Sequence, residues 1–554
     1  MGNIADLLAA RLATPARVLY RQFVDGAWRE FTAADVAQRA ARWQAAFRRE
    51  GLRPGDRIAI GLRNGVAWVA LDLAALAARL VVVPLYVDDN ADSQAYCAAD
   101  SDARLVVVET TRMAGALTSA GVDAARILCL RPEEGADQRP VEDFLPRDAP
   151  AFAVEPVETG TLATICYTSG TAGRPKGVML SHGNILANVA GCRATGMGRE
   201  DDVFLSFLPL SHMFERTGGY YLPLALGAQV DYARGIAQLP DDFLSQAPTA
   251  VFAVPRAFEK FLERIHAAVA GSRWKRALLD RCVASGLRVA LGGAGVLDRA
   301  LLPVLRALVA RPILARFGGR LRLAVVGGAA MDPAISRLFI GLGLPILQGY
   351  GMTEASPVIA VNRLAENDPD TVGRPLENLE LRLSAQGEIQ VRGPSVMLGY
   401  WRNPEATART LAPDGWLSTG DLGELRDGRL AIRGRLKDVL VLSNGEKLPP
   451  QEVELAILGD GAFEQLMLVG EGRPFLSLVA VAKEADEKQL VKRANERLKA
   501  FPRYARVRRV IVAPEPWTVE NGLLTPTLKI RREQVLKRFA DEIDSVYAAG
   551  APTD

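Results

Sequence analysis

The sequence predicts an α/β fold: a large N-terminal domain of parallel-sheet α/β layers with a β-rich subdomain, followed by a small α+β C-terminal domain. Three observations predict it. As far as residue 341, apolar β-prone runs alternate with helix-length stretches, the pattern of parallel strands joined by crossover helices. From about residue 373 the texture changes to short strands and turns. Beyond residue 433 strand–helix alternation returns in a last small piece.

The elements follow in order. Residues 31–50 read as an amphipathic helix, 57–62 as a strand, 66–78 as a helix, and 80–84 and 105–108 as strands. Residues 131–156, rich in Pro, Glu, Asp and Ala, read as a surface connection. Two apolar runs, 162–167 and 178–180, flank a loop of small residues. A strand at 250–254 leads to a helix at 256–270, and 272–320 is a long Arg/Leu/Ala helical stretch. The strand at 321–326 ends in Gly327-Gly328-Ala329 before a helix at 331–341. Ligands of such sheets gather where strands end. In the β-rich part, strands at 379–383, 388–392 and 430–433 accompany the turn signals Asp414-Gly415 and Asp427-Gly428. The last piece reads as a strand at 439–442, a helix from Gln451, a strand at 476–481, a helix at 486–500 and a strand at 507–512.

Bulk properties narrow the function. The 554 residues exceed one core and suit about two to four domains. Lys+Arg 67 against Asp+Glu 64 leaves +3, so no field for nucleic acid is implied. The 5 cysteines form no C-x-x-C pair, which fits a reducing, cytoplasmic setting, and 3 histidines argue against a histidine-rich metal site. No secretory signal is expected at the N-terminus. The longest apolar region, 68–86, contains Asp72 and Arg79, so it reads as a buried helix feeding a strand rather than a membrane span. A peripheral contact on the inner face of a membrane and the oligomeric state stay open. So does the basic cluster at 488–509: a solvated helix face, or a surface for the phosphates of CoA or of an anionic membrane.

Tyr167-Thr168-Ser169-Gly170-Thr171-Ala172-Gly173-Arg174-Pro175-Lys176-Gly177 is the most informative stretch. Its bare backbone N–H groups and hydroxyls suit phosphate oxygens, and Lys176 adds charge. It is not a Walker A loop: Lys176 sits between Pro175 and Gly177, so the magnesium-binding hydroxyl of that motif is missing. Further segments carry chemistry. Ser211-His212-Met213-Phe214-Glu215-Arg216 holds one of the few histidines, whose plainer reading is a helix cap. Gln348-Gly349-Tyr350-Gly351-Met352-Thr353-Glu354 offers a flat ring, a hydroxyl and a hard oxygen ligand for magnesium. Ser418-Thr419-Gly420-Asp421, Arg433-Gly434-Arg435-Leu436-Lys437-Asp438 and Asn521-Gly522-Leu523-Leu524-Thr525-Pro526-Thr527-Leu528-Lys529 complete the series.

Taken in order, these segments resemble the adenylate-forming (AMP-binding) ligases over essentially the whole chain, and the Ser-His-Met-Phe-Glu-Arg form resembles their long-chain fatty acyl-CoA synthetase branch. The resemblance implies ATP-dependent conversion of a medium- or long-chain fatty acid to acyl-AMP, then transfer to CoA. It implies a large domain at 1–433, with its β-rich part at about 373–433, and a mobile domain at 434–554 hinged at Gly434–Asp438. Phosphate would be held by Thr168, Ser169, Gly170, Thr171, Gly173 and Lys176. The adenine side would be Gly327, Gly328, Ala329, Gln348, Gly349 and Tyr350. Asp421 and Arg435 would hold ribose, Thr353 the α-phosphate, Glu354 magnesium, and His212 the acyl carboxylate. Lys529 would reach the carboxylate and α-phosphate. The turn Ser443-Asn444-Gly445-Glu446-Lys447 is either a charged β-turn or, by the resemblance, a segment that faces the site in the thioester-forming pose. One departure is Ala172, where the family has Thr and a hydroxyl contact. Two alternatives stay open: a fatty acyl-AMP ligase that loads a carrier protein, and a non-catalytic acyl- or nucleotide-binding protein.

Overall fold

The computed structural model describes residues 2–168, 174–484, 486–525 and 529–550. Among these, one sheet has nine strands and a second has eight, both largely parallel. In the eight-stranded sheet, Arg57–Gly61 pairs with Val81–Pro84 on one side and Ala103–Thr110 on the other. In the nine-stranded sheet, Val203–Ser206, Ala250–Ala253, Leu323–Val326 and Ile346–Gly351 run parallel in that order.

The strands are apolar runs rather than alternating ones because both faces of each sheet are buried. Ile58 and Ile60 face the core between the sheets, while Ala59 faces the opposite side. Likewise Phe252 and Val325 point into the central core, and Val251, Ala324 and Val326 into a second core under the helices Pro255–Ala270, Arg273–Ala290 and Pro333–Leu342. Ala33–Arg49, Val66–Ala77 and His182–Ala194 contribute to the central core, giving helix layers between and outside two sheets.

Local chemistry sets where these helices begin. The helix expected from residue 31 starts at Ala33 because Thr32 caps it: its Oγ1 accepts from Asp35 N, and its own N–H donates to Asp35 Oδ2 at 2.8 Å. Ser181 and Asn184 form the same box for His182–Ala194.

The β-rich part is a four-stranded antiparallel sheet, Glu380–Leu383, Glu388–Arg392, Leu417–Arg426 and Arg429–Arg435. A three-stranded sheet, Phe463–Val469, Leu476–Ala482 and Val507–Val512, forms the last piece. Residues 131–156 are more than a surface connection. Arg139–Pro140 adds an edge strand to the eight-stranded sheet, and Val141 and Phe144 are buried, Phe144 against Trp43. Proline fits there because it can end a sheet without a ladder donor. The turn at Asn444-Gly445 joins the short strands Leu440–Val441 and Lys447–Leu448, as a charged β-turn does. Among the described residues no helix is long and apolar enough to cross a membrane.

Candidate active site

A cavity of about 620 Å³ opens where the central strands of the nine-stranded sheet end, the position this topology favours for ligands. Its wall brings together residues far apart in sequence: Thr168, Lys176, His212, Gly327, Gly328, Gly349, Tyr350, Thr353, Glu354, Arg435 and Lys529. Ala329, Gln348 and Asp421 stand outside that wall. Gln348 is buried and donates to Pro369 O at 2.6 Å, which braces the strand rather than the cavity. Asp421 sits behind Tyr350 and Arg435: it accepts from Tyr350 Oη at 2.7 Å and pairs with Arg435 Nε at 3.1 Å. Ser169, Gly170, Thr171 and Gly173 lie outside the described residues.

Lys529 belongs to the last piece of the chain. Thr525 N–H donates to Lys529 O at 2.8 Å, and Lys529 N–H donates to Thr525 Oγ1 at 3.0 Å, fixing where the side chain leaves the backbone. Solvent reaches Lys529 along the open cleft, yet protein surrounds it there. Desolvation lowers its pKa, as does the Arg435 guanidinium, against the pull of Asp421 and Glu354.

Glu354 is buried, and its Oε1 accepts from Tyr400 Oη at 2.8 Å. Lys176 Nζ lies 5.1 Å from the centre of the same Tyr400 ring. The loop carrying Glu354 is tied down by Asn188, whose Nδ2 donates to Ala355 O at 3.0 Å and Val358 O at 2.8 Å. Tyr400 and Asn188 were not legible as site residues, since each is a lone polar residue with no motif around it.

His212 is a helix cap, as one reading of its sequence has it, and it stands on the cavity wall. Its Nδ1 accepts from Phe214 N at 3.2 Å. An accepting Nδ1 places the proton of the neutral ring on Nε2, leaving one N–H donor for a ligand. Burial and the Lys529 ammonium lower its pKa to about 4. Asn64 pins the preceding loop: its Nδ2 donates to Leu208 O at 2.6 Å, and Leu210 N–H donates to its Oδ1 at 2.9 Å. Glu215 and Arg216, in the same segment, turn into the interior. Burial pushes Glu215 up to about 8. Arg216 is fully buried against Asp72.

His182 is the second buried neutral histidine, with Nδ1 accepting from Ile4 N at 3.1 Å and its pKa lowered by burial to about 4. The unfolded chain therefore binds protons between pH 6.5 and 4 that the folded chain does not, so this stability is present above 6.5 and lost on acidification through 4. Glu215 acts in the opposite sense, its contribution fading as pH rises toward 8. The histidine part is thus read as a difference: the thermal midpoint of the wild type should fall more steeply than that of His182→Gln over the same acid window.

The cavity continues into the interior among apolar side chains. Cys192, Met197, Gly218, Leu222, Phe252 and Val325 line that end, all buried. Gly218 is needed there for space: a Cβ would lie 2.6 Å from the Phe252 ring.

Family models agree with this architecture. One described as AMP-binding enzyme matches residues 10–401, and one described as AMP-binding enzyme C-terminal domain matches residues 437–551. The chain belongs to this family, the adenylate-forming ligases. Within it the chain falls in the long-chain fatty acyl-CoA synthetase branch. A long-chain-fatty-acid–CoA ligase of Mycobacterium bovis is 32% identical over 96% of this chain and 95% of its own. The peroxisomal long chain acyl-CoA synthetase 7 of Arabidopsis thaliana is 32% identical over 90% of this chain and 79% of its own. Among solved structures, the adenylation domain of a carboxylate reductase from Mycobacterium chelonae superposes with a TM-score of 0.80 at 21% identity, covering 99% of this chain and 91% of that one, which speaks for the fold.

Proposed function

We propose that the protein activates a medium- or long-chain fatty acid with ATP, giving acyl-AMP and pyrophosphate, and then passes the acyl group to CoA, releasing AMP. The observation that carries this reading is a single cleft in which cationic and hydroxyl groups on one wall meet a buried apolar pocket. The apolar end takes the alkyl chain. The wall with Lys176, Thr353 and Lys529 takes the triphosphate.

A carboxylate is a poor electrophile, so the acid first attacks the α-phosphorus to form a mixed anhydride. Two anions must meet for this. Lys529 stands between them and neutralises charge developing on the phosphorus, and bound anions raise its pKa again. His212 Nε2–H orients the carboxylate, and Thr353 holds an α-phosphate oxygen. Tyr350 offers its ring face to adenine beside Gly327 and Gly349. Arg435, on the cavity wall, is offered to the ribose hydroxyls, with Asp421 behind it fixing the guanidinium and the Tyr350 hydroxyl. No enzyme nucleophile is required; positioning supplies much of the rate.

Glu354 fits a magnesium ion brought with ATP. Such an ion needs one or two carboxylates and completes its shell with substrate phosphates and water, and Glu354 supplies one buried carboxylate on the cavity wall. Bound there, the ion would offset phosphate charge. Residues 434–554 move as a unit between the half-reactions. Gly434, at φ 141°, lies at the start of the hinge.

The test is pyrophosphate release from ATP and magnesium by the purified protein across acids from acetate to oleate, with and without CoA. Release that peaks with a long acid and turns over only with CoA supports the reading. Turnover without CoA points to a ligase that loads a carrier protein, and no release with any acid refutes the activity. The apolar end yields a further expectation. Gly218→Val forces the Phe252 ring into the pocket, and because a pocket methylene is worth ~1–3 kcal/mol, kcat/KM for palmitate should fall about tenfold or more relative to a short acid. An unchanged ratio would remove this end of the cavity from the acyl site.

A further inference from the structure

Tyr400 stands between the side chains of Glu354 and Lys176. Its strand, Gly399–Tyr400, runs antiparallel to Lys176–Ser181, with Tyr400 opposite Val178. Side chains two positions apart on a strand share a face, so Lys176 is the diagonal neighbour of Tyr400 there, within reach of an aromatic ring. The tyrosine is 6% exposed, and Lys176 Nζ lies 5.1 Å from its ring centre. From the same ring the hydroxyl donates to Glu354 Oε1 at 2.8 Å. Burial and the Glu354 carboxylate raise the Tyr400 pKa, so the hydroxyl keeps the proton it donates.

The backbone around Tyr400 is tied to both neighbours. Met397 N–H donates to Glu354 O at 2.9 Å, Leu398 N–H to Met179 O at 2.9 Å and Trp401 N–H to Gly177 O at 2.7 Å. Tyr400 N–H donates to Thr407 Oγ1 at 2.9 Å. Glu354 lines the cavity, and among the described residues its Oε2 has no hydrogen-bond partner. One carboxylate oxygen is therefore held by the protein and the other is left for a ligand.

We propose, on the reading of Glu354 and Lys176 given under the proposed function, that Tyr400 is a positioning residue for the metal and the triphosphate together. Its hydroxyl fixes Glu354 through Oε1 and leaves Oε2 for the metal. Its ring seats the Lys176 ammonium beside the phosphates. Carboxylates that ligate a metal are themselves hydrogen-bonded, and loss of the outer partner costs about 10–100-fold in metal affinity or activity. An ammonium over an aromatic face is drawn to the ring quadrupole, which holds a flexible lysine in one place.

Substitution separates the two roles. Tyr400→Phe keeps the ring and drops the hydroxyl; Tyr400→Leu drops both. The measurement is affinity for α,β-methylene-ATP by calorimetry on the full chain, with magnesium and in EDTA, without acid or CoA, so no turnover is involved. The wild type should bind more tightly with magnesium. In Tyr400→Phe that advantage should shrink about tenfold while the affinity in EDTA stays that of wild type. Tyr400→Leu, checked for folding by thermal unfolding, should lose the same advantage and also bind more weakly in EDTA, because Lys176 is unseated. If it does not fold, Tyr400→Phe alone decides the metal role. An undiminished magnesium advantage in Tyr400→Phe overturns the proposal and leaves the proposed function standing. So does equal weakening of that variant with and without metal, which is what lost packing alone would give. A folded Tyr400→Leu with wild-type affinity in EDTA overturns the seating of Lys176. A wild type that binds no nucleotide overturns the proposal and the proposed function together.

Discussion

Lys529→Ala should lose acyl-AMP formation by about 10²–10³-fold or more, the scale for removing one preorganised electrostatic group, while thioester formation from supplied acyl-AMP and CoA stays within a few-fold of wild type. The asymmetry follows from where the charge is needed. Lys529 lines the cleft with Glu354 and His212, and its ammonium acts on the ring of His212. That placement serves the step in which carboxylate and triphosphate are forced together. In the second step of the proposed scheme AMP leaves as an anion already formed, and the last piece of the chain is expected to have rotated Lys529 away. Lys529→Arg keeps charge but not the compact ammonium and should recover little, because the guanidinium is a different shape. Equal loss in both half-reactions would break the link between Lys529 and adenylation.

Asp72→Ala should cost about 3–5 kcal/mol of folding stability, because it strands a buried guanidinium. Asp72 and Arg216 are both at 0% exposure. Tyr220 Oη and Tyr221 Oη donate to Asp72 Oδ2 at 3.1 and 2.9 Å, and Arg216 Nη1 donates to Thr164 Oγ1 at 2.9 Å. The Arg216 guanidinium also stands 5.1 Å from the Trp68 ring centre. This cluster joins the helix Val66–Ala77, a strand of the eight-stranded sheet and the segment that carries His212. Replacing both charges, Asp72→Leu with Arg216→Met, should recover much of the loss, since an apolar pair of similar volume avoids both desolvation costs. Urea denaturation of the two single variants and the double variant measures the cycle. A single variant as stable as wild type would mean that the pair is not charged in the fold.

The residues that line the cavity were largely legible in the sequence because they lie in short local patterns: a strand, a turn of small residues, and one or two polar groups. The strands Leu323–Val326 and Ile346–Gly351 could be read from apolar runs ending at glycine, and the cavity opens at those ends. What was not legible depends on long-range pairing. Val18–Val24 joins the nine-stranded sheet beside Gln229–Tyr232, a parallel partner about two hundred residues away that leaves no local mark. Asp72 looked like an interruption in an apolar helix because its partner, Arg216, is 144 positions on. Tyr400 reaches Glu354 from the short strand Gly399–Tyr400, which leaves the β-rich stretch to join the eight-stranded sheet beside Lys176–Ser181. Arg139–Pro140 and Phe144 were hidden in a polar, proline-bearing stretch whose few apolar residues do the packing.

The most direct test of adenylate chemistry is the fate of oxygen. With palmitate labelled by oxygen-18 in the carboxylate, ATP, magnesium and CoA, attack on the α-phosphorus carries one labelled oxygen into AMP when the thioester forms. Mass spectrometry of the products should find one labelled oxygen per AMP and none in pyrophosphate. Label in inorganic phosphate with ADP as the nucleotide product would mean an acyl-phosphate route, and would contradict the account.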